Sequence, residues 1–335
     1  MTNETKNDFY FVAVDDGYAQ TKLIGDNPDK PGEITQSILR STVRPGRSGL
    51  GSFGGGGISS YETEEGEHFT VSNEIESEST QFDGFHTSTL NRVLVNHALL
   101  SSGFGGRKIK LITGLPVADY FLDDEKDDDH IKAKSSNLNK GITSGDTPMP
   151  IITDVKVGCQ AVAAWFDHVL DFDMSEKNDI AGRTAIVDIG GRTTDIAVVV
   201  NGQAIDHSVS GTENIGVLDV YNALGKSIRK EFKIKEKFPL DELDKAVRTG
   251  KMKLWAKEQD IQSLIDEIII EHEAKIAREV QRRLGSGSNL NAIVFVGGGS
   301  ALFQSIAGHF PNGVMADDPE FSNARGLYKF SKYHS

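Results

Sequence analysis

The ordered pattern of the chain begins with an apolar run rich in β-formers at residues 9–14 (FYFVAV). It breaks at Asp15, Asp16 and Gly17 and resumes as a half-polar stretch at 21–24. An apolar run, a turn of Asp and Gly, and a second run predict a strand, a tight turn and a returning strand. The same pattern comes back about half a chain length later. Residues 184–187 are a short β run, Asp188 to Thr194 (DIGGRTT) reads as a turn, and 195–200 is a second strand closed by Asn201-Gly202. A strand–turn–strand unit met twice at this spacing predicts the duplication of one domain.

Between these units lie further elements. Apolar residues recur at helical spacing over 89–100 (TLNRVLVNHALL), with Gly103 and Gly105 as stop signals. A buried strand is expected at 109–113, ending at Gly114-Leu115-Pro116, another at 151–157, and a helix at 161–170. Helical patterns follow at 215–232 and 261–284, the latter with Ile261, Leu264, Ile265, Ile268, Ile269, Ile276, Val280 and Leu284 on one face. A last strand at 292–296 runs into Gly297, Gly298, Gly299 and Ser300 and a helix. Two segments carry no period. Residues 44–60 (RPGRSGLGSFGGGGISS) are expected to form a mobile loop, and the acidic run 123–129 (DDEKDDD) a solvated one. Strands interleaved with helices put the chain in the α/β class.

Charge narrows the choice of function. With 36 Lys+Arg against 49 Asp+Glu the net charge is −13, which gives no global reason to coat DNA or an anionic membrane. At 38% hydrophobic and 25% charged the composition is that of a globular protein, and 335 residues predict two domains. Cys159, alone, excludes an intramolecular disulfide and a cysteine zinc site and fits a reducing cytoplasm. No basic leader opens the chain and no run approaches the roughly 20 apolar residues of a membrane span, so a soluble intracellular protein is expected.

The outlying residue is glycine, at 35. Three glycine clusters each follow an apolar strand, where backbone amides can approach a phosphate without a Cβ in the way. Any one of them serves a hairpin equally well, whereas three together favour a nucleotide. Asp15 and Asp188 sit where strands end; such a pair suits Mg²⁺, which keeps several waters and bridges to phosphates, and the same residues alone can also do no more than cap hairpin turns. Lys22, one short strand beyond the first turn, can reach phosphates as a point charge. His272-Glu273 opens like a zinc-protease helix, but Ile276 stands where the second histidine is needed, so a metalloprotease is rejected. The acidic run is read as solvated charge and Cys159 as packing.

The segments VDDGYAQTKL (14–23), NHALLSSG (96–103), TGLPVADYF (113–121), TDVKV (153–157), VDIGGRTTDI (187–196) and FVGGGSALF (295–303) together resemble the actin, Hsp70 and sugar-kinase superfamily. Within it they resemble most the bacterial plasmid-segregation actins of the ParM/StbA type. The resemblance implies an α/β actin-like ATPase fold, two duplicated RNase H-like domains flanking a nucleotide cleft. Domain I would span 1–180, with an outer subdomain at about 30–95 and a return at about 316–335. Domain II would span 181–315, with an outer helical subdomain at about 216–290.

By the same resemblance Asp16, Gly17, Tyr18, Ala19 and Gln20, with Lys22, and Gly190, Gly191, Arg192, Thr193 and Thr194 would hold the phosphates. Gly216, Gly297, Gly298, Gly299 and Ser300 would border the rest of the nucleotide, and Asp15 and Asp188 would hold Mg²⁺ through water. ParM-type proteins place a glutamate where this chain has Gln160; an amide cannot take a proton at pH 7, so Gln160 would orient the attacking water, with Asp15 and Asp188 completing the catalytic set. A helix-start residue without a catalytic part is the other reading of Gln160. The implied activity is a cytoplasmic ATPase, using ATP or alternatively GTP with Mg²⁺. It would polymerise with itself and segregate plasmid DNA through a DNA-binding adaptor of the ParR type, touching centromere DNA only indirectly and no membrane. The competing class is a small-molecule (sugar or acid) kinase on the same fold. The glycine-rich loop would lie in the outer part of the first domain, so that deleting residues 49–57 impairs assembly and spares nucleotide affinity.

Overall fold

The opening apolar run forms β1 (Tyr10–Asp16), and Gly17 begins the turn that returns the chain as β2 (Gln20–Asp26) and then β3 (Ile34–Arg40). The computed structural model describes residues 9–47, 58–72 and 78–333. These fall into two units, Met1–Ala181 with Phe321–Ser335, and Gly182–Glu320. In the first unit the chain continues through β4 (Val43–Pro45), β5 (Ser59–Thr63), β6 (His68–Val71), α1 (Thr89–Leu99) and β7 (Lys108–Leu115). It goes on through α2 (Val117–Tyr120), β8 (Phe121–Leu122), β9 (Glu125–Lys126), α3 (Asp128–Leu138), β10 (Ile142–Thr143), β11 (Ile151–Cys159) and α4 (Gln160–Val169). Of the expected loop at 44–60, residues 48–57 lie outside the described residues, while 44–45 belong to β4 and 59–60 to β5 rather than to a loop.

The main sheet of this unit has the order β11-β7-β1-β2-β3, antiparallel from β1 to β3 and parallel from β1 to β11. Side chains of β1 alternate between its faces. Val12 and Val14 pack with Val95, Leu99 and Leu138 from α1 and α3, while Ala13 packs on the other side with Ala163 of α4 and residues near the C-terminus. A second sheet, β10-β5-β6-β4, rests its apolar face (Tyr61, Phe69, Val71) on Val93 and Leu94 of α1.

The second unit begins with β12 (Arg183–Ile189), β13 (Thr194–Val200), β14 (Ala204–Ile205), β15 (Gly211–Glu213) and α5 (Val217–Phe232). It continues with α6 (Leu240–Thr249), the hairpin β16 (Lys251–Leu254) and β17 (Lys257–Asp260), and α7 (Gln262–Leu284). β18 (Ala292–Val296), α8 (Gly298–Leu302) and β19 (Gly313–Met315) close it. Its sheet order, β14-β13-β12-β18-β19, has the same sense of pairing as the first: a three-strand antiparallel meander and then two parallel strands. The duplication read from the two turns is thus a duplication of sheet topology. In α7 the expected stripe is buried at Ile265, Ile268, Ile276, Val280 and Leu284, and Ile270 lies outside it, exposed.

The chain then re-enters the first unit as α9 (Ser322–Tyr333), which lies on α4 backbone to backbone: a β-carbon at Gly326 would come within 1.7 Å of the Ala163 carbonyl oxygen. Asp167 of α4 ties the two helices, accepting from Arg325 Nε at 3.0 Å and from Lys329 Nζ at 2.7 Å. Burial works to raise the Asp167 carboxyl, and the two cations overcome it and hold it low.

The acidic run departs from the expected solvated loop. Asp123 and Asp124, both at positive φ (49° and 66°), make the tight turn of the β8–β9 hairpin. Asp127 then caps α3, its side chain accepting from the His130 amide at 2.9 Å, and Asp128 and Asp129 fill the first helical turn. Five of the acids in this run therefore serve a turn, a cap and a first helical turn, where short acceptor side chains and negative charge are favourable.

Candidate functional site

The sequence treats Asp15 and Asp16 as one turn. In the structure β1 runs through both, and the pleat sends their carboxylates to opposite faces. Asp15 lies opposite Lys22 in the β1–β2 register and accepts from Lys22 Nζ at 3.3 Å and from Gln160 Nε2 at 3.1 Å. All three side chains are buried. Gln160 opens α4, directly after β11 ends, and its stem crosses Gly114 of β7 so closely that a β-carbon there would lie 2.5 Å from Gln160 Cγ. Because a carboxylate only accepts, the Gln160 NH₂ faces Asp15 and its Oε1 is turned the other way as an acceptor.

The Asp16 side chain turns to the other face, into the unit's interior. It points between α1 and α3, where it accepts from Thr113 Oγ1 at 2.6 Å, from Asn91 Nδ2, and from Lys134 Nζ at 2.9 and 2.7 Å. His86 lies 3.6 Å away. Lys134 gives its third hydrogen to the Gly114 carbonyl at 2.6 Å, so one fully buried ammonium meets three acceptors, a geometry that a neutral amine cannot satisfy. Burial alone pushes the Asp16 carboxyl up, but Lys134 and then His86 hold it well below the usual carboxylate range. Burial pulls Lys134 down from the ordinary lysine value against the attraction of Asp16. This pair is missing from the sequence reading. It links the strand that carries Asp15 to the glycine under Gln160, so Lys134 is a positioning residue for both.

The turn after β1 is held by its carbonyls. Ser41 Oγ donates to the Gly17 carbonyl at 2.8 Å, Thr80 Oγ1 to that of Tyr18, and the Ser41 amide to that of Ala19 at 3.0 Å. In a trans peptide N–H and C=O point oppositely, so the Tyr18 and Ala19 amides are directed away from Ser41 and Thr80. The Tyr18 ring packs among Phe85 and His86, and Gln20 opens β2 opposite Arg40 of β3.

The second unit repeats this device with other parts. The Gly190 amide closes the turn onto the Thr193 carbonyl at 2.8 Å, while the Gly190 and Gly191 carbonyls accept from the first amides of α5, Val217 at 3.1 Å and Leu218 at 2.9 Å. The amides of Gly191 and Arg192 are thereby directed away from that helix. Gly216 permits the approach, since a β-carbon there would lie 2.4 Å from the Gly191 oxygen; its own amide is capped by Asp219 at 3.0 Å. The Thr193 hydroxyl donates to Asp195 and the Thr194 hydroxyl to the Ile215 carbonyl.

Asp188 holds the same register position in β12 as Asp15 in β1, one pair before the turn, but the residue opposite it is Asp195. Directly opposed residues of an antiparallel pair share a face. Two buried carboxylates on one face favour a cation between them. Asp195, which the sequence reading left inside a strand, therefore joins Asp188 as a candidate metal-side carboxylate.

Gly297 is at φ 86°, and a β-carbon there would meet Asp188 Oδ1 at 2.1 Å; one at Gly299 would meet Ile189 Cγ2 at 2.4 Å. These two glycines let α8 press onto β12. Ser300 is buried and donates to the Val296 carbonyl at 2.6 Å, which leaves Gly298 as the partly exposed member of the cluster. Cys159 is buried, and His272 Nδ1 donates to the Ile268 carbonyl inside α7. Among the described residues no three His, Cys, Asp or Glu side chains gather at metal-ligating distance, and no helix is long and apolar enough to cross a membrane.

Residues 10–171 match the family model of the N-terminal part of plasmid segregation protein ParM (StbA), and residues 186–306 that of the C-terminal part of the archaeal actin homologue MreB-like family. No curated protein matches the chain. Among solved structures, the archaeal actin homologue Ta0583 is 23% identical over 98% of this chain and all of its own, with a TM-score of 0.77; its complex with ADP gives 0.76 at 22% identity, over 97% and 99%. A 15-stranded ParM filament from Clostridium botulinum gives 0.75 at 20% identity, again over 97% and 99%. At these identities the solved structures establish the fold, which is the actin-like ATPase fold. The chain thus has the actin-like fold, with a first half that matches the ParM/StbA model and a second half that matches the archaeal MreB-like one.

Proposed function

We propose that this protein is a cytoplasmic ATPase that binds ATP with Mg²⁺, polymerises with itself, and segregates plasmid DNA through a DNA-binding adaptor of the ParR type. The carrying observation is the pair of turns, one in each duplicated unit, whose carbonyls are tethered so that successive amides are directed the other way. Directed amides without side chains in front of them are what a phosphate chain needs. The ADP complex of the archaeal homologue supports a nucleotide, and the ParM filament supports self-assembly.

The two units serve as actin-like domains I and II, with outer subdomains at about 30–95 and 216–290. Asp15, Asp188 and Asp195 are the residues suited to Mg²⁺, which binds through waters and few carboxylates. When bound, Mg²⁺ neutralises charge that develops on phosphate oxygens. Lys22 contributes a second positive charge beside Asp15. Gln160, its NH₂ fixed by Asp15, accepts a hydrogen bond from the attacking water through Oε1 and orients it without taking its proton, which suits a slow clock better than fast turnover. The −13 charge leaves DNA contact to the adaptor.

The reading is tested by pelleting with ATP, GTP or ADP alongside phosphate release. ATP with Mg²⁺ is expected to send the protein to the pellet, with release rising as protein concentration rises. Release that needs an added sugar or acid acceptor, with no pellet, would sink the reading.

A further inference from the structure

The β16–β17 hairpin of the second unit carries an exposed aromatic in a strained place. Trp255, 69% exposed, and Ala256 form the two-residue turn of the β16–β17 hairpin, with φ of 47° and 62°. Such a turn is ordinarily made by Asn and Gly, because bulky side chains resist the left-handed region. Beside Trp255 a groove of about 380 Å³ runs between the hairpin and the α5–α6 connection, with Ile234 and Leu254 in its lining. Lys233, Lys235 and Lys253 surround it, together with Glu236. Lys251 is engaged by Glu258 at 2.7 Å, whereas no ion pair engages the ammonium groups of Lys233, Lys235 or Lys253 among the described residues, and Glu236 accepts from the Lys235 amide at 3.2 Å.

The first unit carries the converse feature. The β8–β9 hairpin exposes Leu122 (63%) next to Asp123, Asp124 and Glu125, with Asp129 in the following helical turn, an apolar tip set in acid. Lys126 is drawn to Asp128 at 3.4 Å, which leaves the tip itself negative. One surface is an aromatic groove ringed by lysines on a chain of net charge −13, and the other is a leucine ringed by carboxylates on the same chain.

The geometry points to a head-to-tail contact between two copies of this chain, in which the Leu122 hairpin of one copy enters the Trp255 groove of the next. Unlike surfaces that pair in this way generate an open chain of subunits wherever the rotation does not close into a ring. Exposed Trp with flanking charge is the composition of an interface centre, with the ion pairs setting register and partner. Nucleic acid fits the groove less well, since three lysines interrupted by Glu236 offer little charge for a phosphate backbone. This contact rests on the self-assembly part of the function proposed above and names its surfaces.

The test uses full-length protein with paired charge changes. One variant combines Lys233→Glu with Lys253→Glu; the other combines Glu125→Lys with Asp123→Asn and Asp124→Asn, since Asn tolerates positive φ. Folding is checked by circular dichroism, nucleotide binding by fluorescence, and association by sedimentation velocity over a concentration series with and without ATP. Each variant alone is expected to raise the concentration needed for association at least tenfold, Trp255→Ala to do the same, and an equal mixture of the two charge variants to restore it, because unlike charges again meet at every contact. Variants that associate as wild type does, a mixture that stays apart, or a groove variant that loses only binding to a short DNA duplex would overturn the contact while leaving the filament reading intact. Wild-type association that ignores nucleotide, abolished by each variant and restored by mixing, would overturn the ATP-driven reading and leave the contact standing. A wild-type chain that remains monomeric throughout overturns both.

Discussion

Replacing Lys134 with methionine keeps the length of the side chain and removes its charge from a fully buried site. Asp16 would then lose two of its hydrogen bonds, and the Gly114 carbonyl one. Breaking a buried ion pair from one side costs about 3–5 kcal/mol, because the remaining charge is stranded away from water. For a unit of this size about 2–4 °C of melting temperature go with each kcal/mol, so Lys134→Met should melt roughly 6–20 °C below wild type at pH 7.

The pH dependence gives a second, independent reading. In wild type the Asp16 carboxyl is held below its ordinary value of 3.8, so its contribution is complete above that value and is lost only as pH falls further, through the folded value. In Lys134→Met the uncompensated burial raises the folded value instead. The stranded charge then disappears as pH falls, and the gap between variant and wild type narrows from pH 7 toward pH 4. Adding Asp16→Asn to Lys134→Met should recover much of the loss, since no buried charge is left. Calorimetry at several pH values reads all three. A loss under about 1 kcal/mol, the range of an exposed pair, or a gap that widens toward pH 4 would refute the buried ion pair.

Gly114→Ala places a β-carbon 2.5 Å from Gln160 Cγ and should cut phosphate release roughly a hundredfold through misplacement of the side chain, while nucleotide affinity measured by fluorescence stays within about twofold. Gln160→Glu puts a carboxylate 3.1 Å from Asp15 Oδ1, where two like charges compel one to keep a proton; the release rate should become strongly pH-dependent between about pH 5 and 8, against a flatter wild-type profile. Gly326→Ala drives a β-carbon into the Ala163 backbone of α4 and should destabilise by about 3 kcal/mol or more, seen as a lower urea midpoint; a neutral result would mean that α9 does not lie as closely on α4 as described.

What the sequence made legible follows from periodicity and repetition. The two strand–turn–strand units were visible because glycine and aspartate punctuate apolar runs, and their duplication proved to be one of sheet order. α3 was hidden because its buried face is built on Lys134 and Leu138, and a lysine counts as surface in any hydrophobic pattern. Its start was nevertheless written in Asp127, Asp128 and Asp129, the cap and first-turn acids of a helix, within a run that reads first as mere charge. Asp15 and Asp16 were separable in principle. Had β1 been continued to its end, the alternation that puts Val12 and Val14 on one face would have put Asp16 with them and Asp15 with Ala13. Gly216, Gly297 and Gly299 were legible as glycines, but their close approaches to Gly191, Asp188 and Ile189 join residues distant in sequence. Asp195 carried its own signal, the position opposite Asp188 across a four-residue turn, once the register was fixed.

The central claim is that nucleotide drives this chain into filaments. Electron microscopy of the purified protein with Mg²⁺ and a non-hydrolysable ATP analogue, next to ADP and nucleotide-free samples, tests it most directly. The account predicts filaments with the analogue and few or none in the other two. Dispersed single molecules that nevertheless hold the analogue would contradict it.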